Sequence, residues 1–313
     1  MKILLPIICL LILSSCTNEV PSERLVERNG FYYEVNSELP YTGSTEYYHE
    51  NGQLGSKENW KDGKREGPSE YYHENGQLSS KGNWKNGEID GLSVVYYENG
   101  QLEFKVKFKN GKMDGLRENY YENGQLKEKV NNKDGELHGL FETYYENGQQ
   151  DSKHNWKEGE LHGLSEVFHR NGRLMDRTNY KNGELHGLSE TYYENGQLKT
   201  GGTLKEGKRD GLFETYYENG QLKERTNYKN GELHGLWEEF YENGQLDSKH
   251  NWKDGELHGL SEVFNRNGRL MDRTNYKNGK MDGLEEVYFN DGSVWGKECY
   301  KNDKKVEMSN CEK

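Results

Sequence analysis

Proline and cysteine are scarce in this chain, with 4 of each among 313 residues. Neither a proline-rich tract nor a cysteine-stapled scaffold therefore accounts for its order. Aliphatic material is thin as well. Only 31% of residues are hydrophobic against 31% charged, and mean hydropathy is -1.20, too little for the two conventional cores that this length would ordinarily hold. A surplus of positive charge is also missing. With 42 Lys and Arg against 54 Asp and Glu, the formal charge is -12. That excludes general binding to nucleic acid or anionic headgroups, since both need a net positive surface. No GxSxG, HExxH, Walker A or DxDxDG pattern occurs, so the familiar catalytic and phosphate-binding motifs are absent. What remains is 12% aromatic, with 23 Tyr, 6 Trp and 38 Gly. Disordered chains are poor in aromatics, so this composition describes something ordered but thinly cored.

Residues 3–13 form an apolar run behind Lys2, with the length of a signal-peptide h-region. It is too short to cross a bilayer as a helix. The run ends at Leu13-Ser14-Ser15-Cys16, which resembles the bacterial lipobox. That resemblance implies diacylation of Cys16, which would become the mature N-terminus and anchor an exported protein in the bacterial cell envelope. A simple secretory signal with an incidental cysteine is the other reading. Residues 1–15 are thus expected to be signal and 16–30 tether, with the folded part starting at Phe31.

Glycines at 52, 76, 100, 124, 148, 172, 196, 220, 244, 268 and 292 are separated by 24 residues every time. Two further series, from Gly63 to Gly279 and from Gly43 to Gly283, keep the same spacing. Such regularity without insertion or deletion marks a repeat protein. Four residues before each first-series glycine lies an aromatic, as at Tyr144 and Phe168, and nine after it a lysine, from Lys61 to Lys301. Each unit holds two turn signals, typically Glu-Asn-Gly-Gln and Lys-Asn-Gly-Glu. Asn-Gly between runs rich in Tyr, Trp and Thr is a hairpin signal, so each repeat should be two strands and two turns. No segment between glycines reaches the length of an average helix.

The constant period also limits register. Two two-residue turns per repeat would make each hairpin slip by two positions against the last. A two-residue turn at Asn147-Gly148 with a four-residue loop at residues 158–161 leaves no net slip. This register sets Glu142 opposite Lys153, Glu214 opposite Arg225, Glu238 opposite Lys249 and Glu262 opposite Arg273. It also sets Trp156 across from Gly163 and Trp252 across from Gly259, where an aromatic covers a strand glycine.

Units such as Tyr180-Lys-Asn-Gly-Glu-Leu-His-Gly-Leu-Ser-Glu-Thr-Tyr-Tyr-Glu-Asn-Gly196 resemble the MORN repeat, and more closely the bacterial variant found in YwqK-family antitoxins. The resemblance covers residues 28–300. It implies an elongated, single-layer, twisted antiparallel sheet of successive hairpins, and the family name implies a toxin-antitoxin role. The unit here is 24 residues, not the 23 of the eukaryotic pattern, and the export signal and lipobox argue against neutralising a cytoplasmic toxin. An antitoxin for an exported effector, or an immunity-type role, stays compatible.

The recurring polar columns are the remaining candidates for chemistry. His138, His162, His186, His234 and His258 share one column, but at two strands per repeat neighbours lie roughly 10 Å apart, whereas ligands to one zinc must each lie within about 2 Å of it. They read as turn-flanking residues interchangeable with Asp90, Asp114, Asp210 and Asp282. His154 and His250 read as solvated strand residues. The carboxylate ladder through Glu46, Glu70, Glu118 and Glu142 supplies identical environments, whereas acid–base pairs need unlike ones. Cys299 and Cys311 are placed to close a loop that caps the final strand in an oxidising envelope; free or differently paired thiols are the alternative. Residues 151–183 and 247–279 differ at only two of 33 positions and lie 96 residues apart, as duplication of a four-repeat block would leave them.

These readings converge on an all-β protein with a repeat array over residues 31–300 and a C-terminal tail or cap at 301–313. It is expected to be a monomeric, non-enzymatic lipoprotein without cofactor or metal. The array is expected to bind a protein or glycan partner through the faces bearing Trp156, Tyr180, Trp252 and Tyr276. Neutralisation of one cognate effector is the alternative function.

Overall fold

A computed structural model describes residues 19–311. Regular structure among them is almost wholly extended: 28 strands and two single-turn 3-10 helices, Ser22–Arg24 and Met308–Asn310. Twenty-six strands belong to one sheet, so the fold is the all-β array of tandem hairpins. The chain divides into two compact units, the first running to Gln125 and including Asn132–Gly135, the second holding Leu126–Asn131 and the chain from Glu136 onward.

One hairpin of the second unit shows how the sequence makes the repeat. Strand Glu136–Tyr144 pairs antiparallel with Gln150–Lys157, and Glu142 faces Lys153. Between them, Tyr145 N–H donates to the Gln149 carbonyl and Gly148 N–H to the Tyr145 carbonyl, both at 2.8 Å. Three residues, Glu146 to Gly148, therefore form the loop, where a two-residue turn is expected from the sequence. Gly148 has φ +83°, the left-handed position that a three-residue hairpin loop assigns to glycine. Asn147 Oδ1 accepts from Gln149 N–H at 3.0 Å, an Asx contact that explains asparagine here. A one-residue register shift between Thr143 and Tyr144 restores the pairing.

The other turn also departs from expectation. Lys157 pairs with Glu160 and Trp156 with Leu161, so only Glu158 and Gly159 lie in it, with φ of +52° and +78°. Two successive positive φ values define a type I′ turn, whose twist suits a hairpin. The four-residue loop at 158–161 is thus corrected to a two-residue turn. The two additional residues sit farther along, at His162 and Gly163, where the pairing jumps from Trp156–Leu161 to His154–Ser165. A bulge of two residues absorbs as much chain as the longer loop would have done. The body of the strand therefore keeps the expected register, and Glu142–Lys153, Glu214–Arg225, Glu238–Lys249 and Glu262–Arg273 all face one another.

Moving the bulge changes the partner of each aromatic. Trp156 faces Gly139 on one side and Leu161 on the other; Trp252 faces Gly235 and Leu257. The expected partners Gly163 and Gly259 face Tyr180 and Tyr276 instead. An aromatic does cover a strand glycine, but the glycine belongs to the preceding strand of the same hairpin and not to the strand that follows.

Order begins before the expected boundary. Within the span read as a tether, Glu19–Pro21 runs parallel to Gly43–Tyr48, and Leu25–Arg28 pairs with Phe31–Glu34 in a separate hairpin. Tyr32 N–H donates to the Gly63 carbonyl at 2.8 Å, and its ring lies 4.6 Å from that of Trp60. A sheet edge left bare would invite pairing with other chains, and Pro21, lacking an N–H, suits an outermost strand. At the other end Lys304–Val306 pairs with residues 299–301, and Cys299 is disulfide-bonded to Cys311, with Cα atoms 5.9 Å apart.

In the first unit the interior is apolar at Trp60, Val94 and Val106; in the second, Val130 and Cys299 are joined by buried hydroxyls such as Ser165, Thr178, Thr226 and Thr274. Few side chains are large and fully buried, as the composition implies.

Candidate functional site

Alternation along each strand gives the sheet two chemically distinct faces. In the second unit one face carries a row in which aromatic and aliphatic residues alternate: Trp156, Leu161, Tyr180 and Leu185, then Trp252, Leu257, Tyr276 and Met281. Trp156, Tyr180, Trp252 and Tyr276 therefore lie on one face, each half-buried. The Nε1 atoms of Trp156 and Trp252 are buried with no acceptor.

Beside that row runs another. His154 lies between Phe141 and Ser165, and His250 between Trp237 and Ser261. The imidazoles stack on Phe141 and Trp237 with centroids 6.0 and 4.9 Å apart. Their Nδ1 atoms lie 2.7 and 2.6 Å from Ser165 and Ser261 Oγ. Burial holds both histidines below the usual imidazole range, so they are neutral at pH 7 and are not the solvated residues expected. A Ser–His pair is the start of a nucleophile, but attack needs an accessible hydroxyl. Ser165 and Ser261 are each only 6% exposed, and the pair functions as a packing hydrogen bond.

The turn-flanking histidine column has a local explanation. His162 Nδ1 accepts from Asn182 N–H at 3.4 Å and His258 Nδ1 from Asn278 N–H at 3.5 Å, while Asp90 and Asp210 accept from Asn110 and Asn230 N–H at 3.1 and 3.3 Å. These four side chains thus cap the type I′ turn of the following repeat, which is why His and Asp interchange there. Among the described residues no group of three or more His, Cys, Asp or Glu could hold a metal ion.

The opposite face is a charge ladder. Arg225 lies 2.9 and 3.6 Å from Glu214 and Glu238. Glu262 lies 2.6 and 2.7 Å from Lys249 and Arg273. Burial alone would raise the Glu262 carboxyl, but hydrogen bonds from Lys249 and Arg273 outweigh it and hold the carboxyl below its ordinary range. Beside the ladder stand Leu188, Leu212 and Leu236, 41%, 45% and 36% exposed. Sequence reasoning passed over these leucines, although the Gly-Leu pair at 187–188, 211–212 and 235–236 recurs at the repeat period.

Eleven segments, 41–62, 65–86, 89–110, 113–134, 137–158, 161–182, 185–200, 209–230, 233–254, 257–278 and 281–302, match the model of the MORN repeat variant. The chain belongs to the MORN repeat variant family. The shortened seventh segment coincides with Gly201-Gly202 and with Leu204 in the aromatic column. A comparison with curated protein sequences finds no match. Similar solved structures include "Crystal Structure of TcdB2-TccC3-Cdc42", at 13% identity, covering 79% of this chain and 14% of that one, with a TM-score of 0.19. Another is "Structure of Photorhabdus luminescens Tc holotoxin pore, Mutation TccC3-D651A", at 12% identity, covering 80% and 16%, also with a TM-score of 0.19. This chain thus spans a small part of the length of those proteins. Cys16 and the signal lie outside the described residues.

Proposed function

We propose that this MORN-variant scaffold is a non-enzymatic lipoprotein, anchored at Cys16 in a bacterial envelope, whose array binds a protein or glycan partner through many equivalent weak sites. The supporting observation is the row through Trp156, Tyr180, Trp252 and Tyr276. One half-buried aromatic recurs on one face of the second unit, flanked each time by the same kind of aliphatic. Equivalent sites on one chain raise effective concentration, so avidity grows with repeat number.

Deleting residues 148–243 removes four whole repeats and rejoins equivalent positions. Binding to isolated envelope fragments should then weaken at least tenfold while circular dichroism stays that of a sheet. Undiminished binding, or total loss while deletion of 52–147 leaves it intact, would show one localised site instead. The anchor has its own test: Cys16→Ser should abolish acyl labelling and release the protein from membranes, and unchanged labelling would refute it.

A further inference from the structure

In five repeats the residue pair after the type I′ turn is Glu-Leu, at 136–137, 160–161, 184–185, 232–233 and 256–257, and at 64–65 and 208–209 it is Lys-Arg. The leucine fills the space between successive aromatics. Arg209 lies over Phe213 and Tyr228 with Gly202 at the position equivalent to Glu58, whereas Arg65 has a carboxylate beside it. The Arg65 guanidinium stands 5.5 and 4.8 Å from the ring centroids of Trp60 and Trp84, and its Nη2 lies 2.8 Å from Glu58 Oε1. Glu58 is only 7% exposed and also accepts from Tyr71 Oη. Where two repeats use Thr and Leu, at Thr178 with Leu185 and Thr226 with Leu233, this one holds a carboxylate and a cation between two indole rings. Replacing such a half-buried ionic network by apolar residues is often neutral or stabilising, so stability does not explain it.

Beside this arginine opens a cavity of about 350 Å³, bounded among others by Tyr32, Lys64, Arg65, Trp84, Asn86 and Glu88. That is within the range of small-molecule sites. The Arg65 side chain is 34% exposed, so one side of the fork is held by Glu58 while the rest remains open to the cavity. Tyr32 and Trp84 are half-buried, leaving part of each ring accessible. Gly63 and Gly87 form part of the wall, and the Lys64 stem passes 3.6 Å from where a Cβ on Gly87 would stand. Accessible rings offer flat apolar surfaces, guanidinium and ammonium groups match a carboxylate, and Asn86 with Glu88 supplies donors and acceptors for hydroxyls. A ring with an apolar C–H face, several hydroxyls and one carboxylate satisfies all three.

We propose that this cavity binds a carboxylated sugar residue of the uronic acid class. The inference rests on the glycan arm of the proposed function and narrows it to acidic glycans at this end of the array. The test is titration of the full mature chain with trigalacturonate, followed by calorimetry and tryptophan fluorescence, with maltotriose and benzoate as comparison probes. Trigalacturonate should bind saturably, and both maltotriose and benzoate at least tenfold more weakly. Lys64→Glu, which restores the commonest residue of its column on an open turn, should weaken trigalacturonate binding at least tenfold. The pair Glu58→Thr with Arg65→Leu, which installs the residues found at 178 and 185, should abolish it. If that double variant fails to fold, Lys64→Glu decides alone. Equal binding of the two trisaccharides, no saturable binding, or undiminished binding by folded Lys64→Glu overturns the proposal. Benzoate binding as tightly as trigalacturonate overturns it in favour of a planar-anion site. None of these variants touches residues 148–243, so envelope binding that survives them and still falls with repeat number would leave the array reading intact.

Discussion

In the first unit the indole N–H groups of Trp60 and Trp84 donate to Thr45 Oγ1 and Ser69 Oγ, each at 2.9 Å. In the second, the same groups of Trp156 and Trp252 are buried with no acceptor. The cause lies 15 residues upstream in each case: Thr45 and Ser69 are replaced by Phe141 and Trp237. A buried donor left without a partner costs about 1–3 kcal/mol. Part of this is offset where Phe141 and Trp237 stack on His154 and His250. The energetics of each tryptophan are therefore set by one residue on the preceding strand of its own hairpin, and the near-identical blocks 151–183 and 247–279 carry the same mismatch because both follow an aromatic.

The largest expected effect comes from making the first unit resemble the second. Thr45→Val removes the acceptor for Trp60 at a position only 1% exposed while preserving shape. It should destabilise by about 1–3 kcal/mol in denaturant titration, and an unchanged midpoint would break the comparison. Next, the same substitution should have opposite signs in the two units. Trp84→Phe loses a hydrogen bond and should cost about 1 kcal/mol, whereas Trp156→Phe removes an orphaned donor and should be neutral or stabilising. Equal losses in paired unfolding experiments would show that packing, not hydrogen bonding, dominates both sites.

Like charges sharpen the contrast further. Glu224 and Glu239 face each other across strands, and burial, then Asp247 and Glu224, push the Glu239 carboxyl above its ordinary value. A raised folded pKa means a contribution that is favourable below the unfolded carboxylate pKa and lost as pH rises through the folded one. Glu239→Gln should therefore stabilise at pH 7, by about 0.2–1 kcal/mol, and the gain should vanish in acid. Glu262 has the opposite sign: its depressed pKa contributes stability above the unfolded carboxylate range, lost as pH falls through the folded value. Melting curves for Glu239→Gln and Glu262→Gln that shift in the same direction at pH 7 would contradict this assignment. The smallest effect concerns the turns. Glu158 holds φ +52° where Asn182 holds +51°, and asparagine tolerates that region better. Glu158→Asn should raise stability by a few tenths of a kcal/mol, detectable as a small rise in melting temperature.

Much of the fold was legible because repetition averages out local ambiguity. The cross-strand pairs Glu142–Lys153 and Glu214–Arg225 follow from period, alternation and charge together. What misled was the length of each turn. Asn147-Gly148 carries a two-residue hairpin signal yet sits in a three-residue loop, because Asn147 Oδ1 holds the Gln149 N–H. Glu158-Gly159 looked like part of a longer loop, yet forms the tighter turn because Gly163 absorbs the excess as a bulge. That Trp156, Tyr180, Trp252 and Tyr276 share one face was legible from their common column. Arg65 gives no such signal, because the same Lys-Arg pair recurs at 208–209 and only the fold brings the Glu58 carboxylate beside one of the two arginines.

By itself the sequence determined the repeat length, two strands per repeat, the net register and the sign of the charges that face one another. All of these follow from a 24-residue period, a two-residue side-chain alternation and electrostatics between adjacent strands. Only the tertiary structure decided which glycine each aromatic covers, whether an indole N–H finds an acceptor, and that residues 19–34 fold over the sheet edge instead of leading loosely to it. Those outcomes depend on side chains 15 or more residues apart meeting across paired strands, and on an edge strand's need for cover, neither of which leaves a periodic mark along the chain.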